Sequence, residues 1–250
     1  MKKDRLFATP QESVPAFDFN RDVAAVFSDM LERSVPMYKE SITRQAEFTL
    51  DFYQDRTRIY DLGCSHGNFG VLAGRRFNGR PFSMVGVDSS RPMIEKYEQR
   101  LENERFKDDI ILVCDRVENV RISNASVVVV NLTLQFLGQN LRDALVQEIF
   151  QALVPGGILL LTEKVAAHDS DISALHLDYY SRFKRTNGYS ELEISQKREA
   201  LENVLVPETL EVHQLRLARA GFVCMDVWLK WFNFASIIAV KQNLGIKNNG

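Results

Sequence analysis

The sequence predicts an α/β fold: a doubly wound, mostly parallel sheet with an N-terminal helical cap and a helical insertion. Three observations carry that expectation. Short, near-continuously apolar segments alternate with longer segments of helical period, the pattern of strands buried on both faces. The first apolar segment, Arg58-Ile-Tyr-Asp-Leu62, runs directly into a glycine-bearing loop. Acids stand at or near the ends of three successive segments, at Asp61, Asp88 and Asp115. In open α/β sheets that is where the ligand crevice opens.

Residues 1–20 carry Pro10, Pro15 and Asn20 and read as irregular. From Arg21 to Glu32 the positions Val23, Val26, Phe27, Met30 and Leu31 recur at helical spacing. Pro36 interrupts, and a second helix is expected from about Tyr38 to Tyr53. After the strand at 58–62 come Phe82–Val87 as a second strand, a helix from Met93 to Glu104, and Ile110–Cys114 as a third strand. Ser126–Leu132, with four consecutive valines, is a fourth. Leu141–Leu153 is an amphipathic helix stopped by Pro155-Gly-Gly157, and Ile158–Thr162 is a fifth strand. Residues 166–206 break the rhythm: they are polar and mostly helical. A helix from Val212 to Ala220 stops at Gly221. Two last strands, Val223–Leu229 and Asn233–Val240, add an antiparallel edge. The organisation expected is a helical cap over residues 1–55 and an α/β domain over 56–250 that contains the insertion at 166–206. The tail Lys247–Gly250 is polar and is expected to fray.

Composition narrows the function classes. The chain has 250 residues, 45% hydrophobic, with a formal net charge of −2. A near-neutral balance gives no electrostatic case for direct nucleic-acid binding. Cys64, Cys114 and Cys224 are three in number, far apart, and not in a Cys-x-x-Cys spacing. They imply reduced thiols, no disulfide framework and no metal. His168, His176 and His213 lack ligand spacing. The N-terminal residues have no apolar run of a secretory leader. No stretch approaches the roughly 20 apolar residues of a membrane span. The expected location is cytoplasmic.

The loop Tyr60-Asp-Leu-Gly-Cys-Ser-His-Gly-Asn-Phe-Gly70 carries the chemistry. Gly63 and Gly67 allow a tight turn and close approach of a ligand. Their spacing is a poor match to Gly-x-Gly-x-x-Gly. Asp61 decides between candidate ligands: a carboxylate there repels a pyrophosphate but attracts an α-ammonium. The charge favours S-adenosylmethionine, and with it the Rossmann-like class I methyltransferase fold. Asp88 stands where an acid accepts ribose hydroxyls, and Asp115-Arg116 where a side chain meets adenine. For either acid alone a helix N-cap is the plainer role; three together beside one glycine loop point to the ligand. Asn131, ending the valine strand, faces the same crevice.

The chain also resembles the carboxy-S-adenosyl-L-methionine synthase family. The resemblance rests on Val26-Phe-Ser-Asp-Met30, Arg33-Ser-Val-Pro-Met-Tyr38, Tyr60-Asp-Leu-Gly-Cys-Ser65, Asn131-Leu-Thr-Leu-Gln-Phe136, Phe183–Arg198 and Leu201-Glu-Asn-Val204. Asn187–Arg198 is the most specific stretch. The resemblance implies an enzyme that converts S-adenosylmethionine and prephenate to carboxy-S-adenosylmethionine, phenylpyruvate and water. It implies a homodimer whose product serves a tRNA carboxymethyltransferase in wobble-uridine modification. Carried over, the cofactor positions fall on Tyr38, Gly63, Cys64, Ser65, Asp88, Ser89, Asp115, Arg116 and Asn131. Arg198 falls on the residue for the transferred carboxylate, a task suited to a guanidinium; it and Tyr38 are the catalytic candidates. Two positions depart from the family: Asp88-Ser-Ser90 stands where Asp-Asn-Ser is usual, and Arg116 where Ile is usual.

Other readings stay beside this one. An ordinary methyltransferase acting on a small molecule or RNA is the alternative, although Asn131 is followed by Leu-Thr-Leu rather than an Asn-Pro-Pro-Tyr clamp. A non-catalytic cofactor-binding subunit is a third; Tyr38 and Arg198 weigh against it. His66 reads as a surface loop histidine. Lys184 and Arg185 could bind an anionic substrate or phosphate, but two charges on an inserted helix read as a solvated face, and Lys197 beside Arg198 reads the same way. Nothing near Cys64 in sequence activates it as a nucleophile.

Overall fold

The computed structural model describes residues 2–242, so the tail at 247–250 lies outside the described residues. The sheet strands are β1 (Arg58–Leu62), β2 (Met84–Val87), β3 (Ile110–Val113), β4 (Ala125–Asn131), β5 (Leu153–Ala166), β7 (Cys224–Trp231) and β8 (Phe234–Val240), with a two-residue β6 (Glu208–Thr209). The helices are α1 (Arg21–Ser34), α2 (Tyr38–Phe52), α3 (Asn68–Phe77), α4 (Arg91–Leu101), α5 (Gln139–Ala152), α6 (Ser170–Thr186), α7 (Glu191–Leu201) and α8 (Leu210–Ala220). The order across the sheet is β3-β2-β1-β4-β5-β8-β7, and β6 pairs with β5 off this path. The first five strands run parallel, while β8 is antiparallel to β5 and β7 antiparallel to β8. This is the Rossmann-like class I methyltransferase fold. Strand order reverses between β1 and β4, which sets the ligand crevice at their carboxyl ends.

The valine run explains why the sheet is centred on β4. Side chains alternate between faces along a strand. Val128 and Val130 join Tyr60, Leu62 and Leu159 in a core under α5 and α8, whereas Val127 and Val129 join Ile59, Ile158 and Leu160 under α2, α3 and α4. All four valines are buried, so β4 has no polar face to present. β-branched side chains suit such a two-sided position.

Two elements differ from the sequence expectation for identifiable reasons. β5 starts at Leu153, before the Pro-Gly-Gly stretch, and continues through Glu163 and Lys164 to Ala166. Charged residues hide its second half from hydropathy. Glu163 is nevertheless buried, because its carboxylate accepts the backbone N–H groups of Thr133, Leu134 and Gln135 at 2.9–3.1 Å. α3 follows the glycine loop directly, where the sequence pattern shows no helix. It is rich in glycine, and Gly70 sits where a Cβ would fall 1.7 Å from the Tyr97 hydroxyl.

The N-terminal segment is irregular but fastened. Phe17 N donates to Ala200 O at 2.8 Å, Gln11 N to Gln196 Oε1 at 2.8 Å, and Gln196 Nε2 to Phe7 O and Thr9 O. It therefore lies as a strap on α7. Asn20 caps α1 by accepting from Asp22 N and Val23 N, worth about 1 kcal/mol. A reciprocal capping box between Ser190 and Glu193 opens α7.

Candidate active site

Asp61 is the second-last residue of β1, at the strand tip. It is 2% exposed, and its Oδ2 has no hydrogen-bond partner. Burial, with the nearby Asp88 charge, pushes its carboxyl up to about 8. A buried carboxylate left unpaired is expensive unless a cation joins it. It opens onto a cavity of about 1280 Å³ at the carboxyl ends of the strands. An α-ammonium brought there would meet the orphaned oxygen, so the residues fit the amino-acid end of S-adenosylmethionine.

The loop after Asp61 has little freedom. Gly63 has φ +81°, and a Cβ on it would meet Thr133 Oγ1 at 2.1 Å. Thr133 Oγ1 itself donates to Leu62 O at 3.0 Å, closing the crevice between β1 and β4. Ser65 adopts φ +44° and Leu132 φ +55°, left-handed backbone that L residues seldom take. Ser65 is held there by its N–H, which donates to Asp88 Oδ2 at 2.9 Å. Asp88 Oδ1 accepts from Ser90 N at 2.8 Å. Each carboxylate oxygen keeps a free lone pair, which is what two ribose hydroxyls need. Burial raises this carboxyl too, with the two amides opposing. Cys64 is buried, and burial beside Asp61 and Asp88 pushes its thiol well up, so it stays a thiol.

Every candidate named from the sequence lines this cavity except Asp115. Asp115 is exposed, and its Oδ1 accepts from Asn119 Nδ2 at 2.9 Å and Arg116 N at 2.7 Å. Those two bonds hold the carboxyl below its usual range. Ser89 and Arg116 line the cavity. The Arg116 guanidinium is taken by Glu118 at 2.5 Å, leaving its backbone as the free contact. Asn131 exchanges two hydrogen bonds with Gln45 of α2, at 2.7 and 2.9 Å. Tyr38, at the start of α2, accepts from Asn68 Nδ2 at 3.0 Å; Asn68 Oδ1 in turn accepts from Arg100 at 2.8 Å. Burial raises the Tyr38 phenol far above neutrality, so it acts as a neutral donor.

The opposite wall comes from α6, α7 and β5. Arg198, on α7, lines the cavity and makes no ion pair among the described residues. Its helix is set by a buried polar network. Arg33 Nε donates to Asn187 O at 2.7 Å, and its guanidinium lies 3.8 Å from the centre of the Tyr189 ring. Tyr189 OH donates to Asp4 Oδ2 at 2.6 Å, and Lys197 Nζ lies 3.6 Å from the same oxygen. The stretches 33–38 and 183–198 thus pack on one another.

Three sequence expectations are corrected here. His66 is not a surface residue: it is buried edge-on against Phe27, with Nε2 2.7 Å from Ser28 Oγ. Burial, helped by Arg100 and Lys96, drops it to about 3, so the ring stays neutral. Lys184 and Lys197 are buried rather than solvated, and burial lowers them to about 7 and 8. Arg185 does face outward, paired with Glu191. Glu163, Gln45 and Asp4 were not singled out at all. Only Glu163, which follows an apolar run without a turn signal, left a trace in the sequence.

Among the described residues there is no group of three or more His, Cys, Asp or Glu side chains that could hold a metal, and no helix long and apolar enough to cross a membrane. Comparison with known proteins agrees with the geometry. A methyltransferase domain family matches residues 59–157. The fold is shared with a putative S-adenosyl-L-methionine-dependent methyltransferase from Methanococcus maripaludis (TM-score 0.60, 19% identity, 95% of this chain and 100% of that one). It is also shared with human N-acetylserotonin methyltransferase in complex with SAM (TM-score 0.60, 17% identity, 97% and 63%). A carboxy-S-adenosyl-L-methionine synthase from Desulforapulum autotrophicum is 80% identical over 96% of this chain and 98% of its own. One from Shewanella sp. is 45% identical over 96% and 98%. With an S-adenosylmethionine-fitting crevice on a class I methyltransferase sheet and this degree of identity along nearly the whole chain, the protein belongs to the carboxy-S-adenosyl-L-methionine synthase family of enzymes.

Proposed function

We propose that the protein transfers a carboxyl group from prephenate to the S-methyl carbon of S-adenosylmethionine, giving carboxy-S-adenosylmethionine, phenylpyruvate and water. The observation that carries this reading is the polarity of the one cavity. Unpaired Asp61 and the Asp88 acceptor stand at the strand tips, and unpaired Arg198 stands on the helical wall. A methyl donor alone leaves the cationic wall without a partner; a cofactor that ends as a carboxylate does not.

The chemistry places modest demands on the protein. Prephenate loses its ring carboxylate as carbon dioxide and its ring hydroxyl as hydroxide while the ring becomes aromatic. One S-methyl proton joins that hydroxide as water, and the methyl carbon forms its new bond to carbon dioxide. The chain's tasks are to hold both partners in contact, exclude water, and pair the new carboxylate with Arg198. The strap residues Phe17 and Phe19 and the α1 residue Phe27 roof the cavity and serve the exclusion. Tyr38 is placed to donate into the same space.

The reading extends to a homodimer, with the exposed apolar residues Ile172 and Leu175 of α6 as its contact, and to a cytoplasmic role supplying a carboxymethyl donor for tRNA wobble uridine. Incubation with S-adenosylmethionine and prephenate, followed by mass spectrometry, tests the activity: the carboxylated cofactor and phenylpyruvate are expected in equal amounts. Formation of S-adenosylhomocysteine on some acceptor, without the carboxylated product, would select ordinary methyl transfer. Light scattering tests the dimer; a monomer at micromolar concentration would refute it.

A further inference from the structure

Two lysines in the helical wall have no use in the account so far. Lys184 of α6 puts its Nζ 4.2 Å from the centre of the Tyr180 ring, and Lys164 of β5 puts its Nζ 5.1 Å from the same centre. Lys184 is only 8% exposed, and all three residues line the cavity. Neither lysine forms an ion pair among the described residues, whereas the neighbouring Lys197 is matched by Asp4. Lysine is almost never buried without a partner. A cation–π contact returns less than burying an ammonium costs. The ring alone does not account for two ammonium groups held inside a cavity. An anion that arrives with the substrate does.

Resting on the co-substrate reading above, we propose that Lys184 and Lys164, gathered over Tyr180, form a second carboxylate subsite that holds the α-keto acid side chain of the acidic co-substrate. The cavity then has two anion positions with different fates. Arg198, on α7, receives the carboxylate that is transferred. Lys184 and Lys164, on α6 and β5, keep the carboxylate that leaves with the aromatic product. Two anchors fix which of the co-substrate's carboxylates faces the S-methyl carbon, and so make Lys184 a residue of specificity rather than of bond making.

Phenylpyruvate separates the two positions, since it keeps the side-chain carboxylate and lacks the ring carboxylate. Its binding to the protein saturated with S-adenosylhomocysteine is measured by calorimetry. We expect the dissociation constant to rise about 30-fold or more in Lys184→Met, as for truncation of a buried charge partner. It should change less than about threefold in Arg198→Ala and stay within about fivefold of the parent in Lys184→Arg. Unchanged S-adenosylhomocysteine affinity verifies that each variant is folded, and Lys184→Gln stands in should the methionine variant fail that control. The subsite is overturned if the parent does not bind phenylpyruvate, if Lys184→Met and Lys184→Gln bind it as the parent does, or if Arg198→Ala loses as much. Turnover of prephenate by the parent is scored separately. Lysine-dependent binding without carboxylated product leaves the subsite standing and removes the co-substrate reading. Product formation with lysine-independent binding does the reverse.

Discussion

The two walls of the cavity are made in opposite ways. The acidic wall is local: Asp61, Gly63, Ser65 and Asp88 sit in two loops of adjacent parallel strands, tied by one hydrogen bond from Ser65 N to Asp88. The basic wall is assembled at long range. Arg198, Lys184 and Lys164 come from two helices and a strand, and the helix bearing Arg198 is held by contacts with residues 4–17 and 33. The first wall sits where this fold class opens its crevice, at the carboxyl ends of the strands. The second, on the proposed reading, serves a cofactor that carries a negative charge away. The acidic wall should therefore govern affinity for any S-adenosyl ligand, and the basic wall should govern the choice among them.

Removing Arg198 breaks the comparison hardest. Arg198→Ala is expected to bind S-adenosylmethionine like the parent while its preference for the carboxylated form falls at least about 100-fold, or about 2.7 kcal/mol. Equal affinity ratios in variant and parent, by calorimetry, would merge the two walls into one function. Asp61→Asn should weaken both ligands alike, by about 30-fold. It also carries a proton signature. In the free protein Asp61 titrates at about 8 and is protonated at pH 6.5. The bound ammonium favours its carboxylate, so binding at that pH should release up to about one proton. The release, read from calorimetry in buffers of different ionisation heat, should vanish in Asp61→Asn.

The legibility of the two walls in the sequence follows the same division. Strand tips, the glycine loop and the acids lie within a few residues of one another and of an apolar run, so pattern alone finds them. Gly63 is needed because Thr133 fills the space of its Cβ, but the loop announces itself before that contact is known. Lys184 and Lys197 look like one solvated stripe because a helix of mixed polarity does not say which face meets Asp4 or Tyr180. His66 misleads likewise: it precedes a loop glycine, and the α1 residues Phe27 and Ser28 pack against its ring. Arg198 was found by resemblance and not by pattern. Strand position picks out Asp115, whose Oδ1 accepts from Asn119 Nδ2 in its own loop.

Two smaller effects sharpen the contrast. Lys184 titrates near 7 because burial and the neighbouring charges of Lys197, Lys164 and Arg198 all favour its neutral form. An anion bound beside it raises that value, so phenylpyruvate affinity should be full below pH 7 and fall as pH rises above it. Lys184→Arg should flatten the fall between pH 7 and 9. The smallest effect is expected in the strap. Gln196→Ala removes the bonds to Phe7 O, Thr9 O and Gln11 N, at about 1–3 kcal/mol. Hydrogen exchange should quicken at residues 7–11 and on α7, and leave the glycine loop unchanged. Faster exchange in the glycine loop would show that the walls are mechanically joined.

Asp4 gives the chain an unusual timetable. Its carboxylate accepts from the Tyr189 hydroxyl, which lies 185 residues later in the chain. At roughly 5–20 residues per second on a ribosome, the two are separated by about 10–40 s of synthesis. During that interval the strap can hold only to α1, where Asp4 N donates to Asp29 Oδ2 and Arg33 Nη1 to Asp4 O, while β1 to β4 and the helices between them are already made. The strands and loops that carry Asp61 and Asp88 are thus synthesised well before the insertion whose helices face them across the cavity.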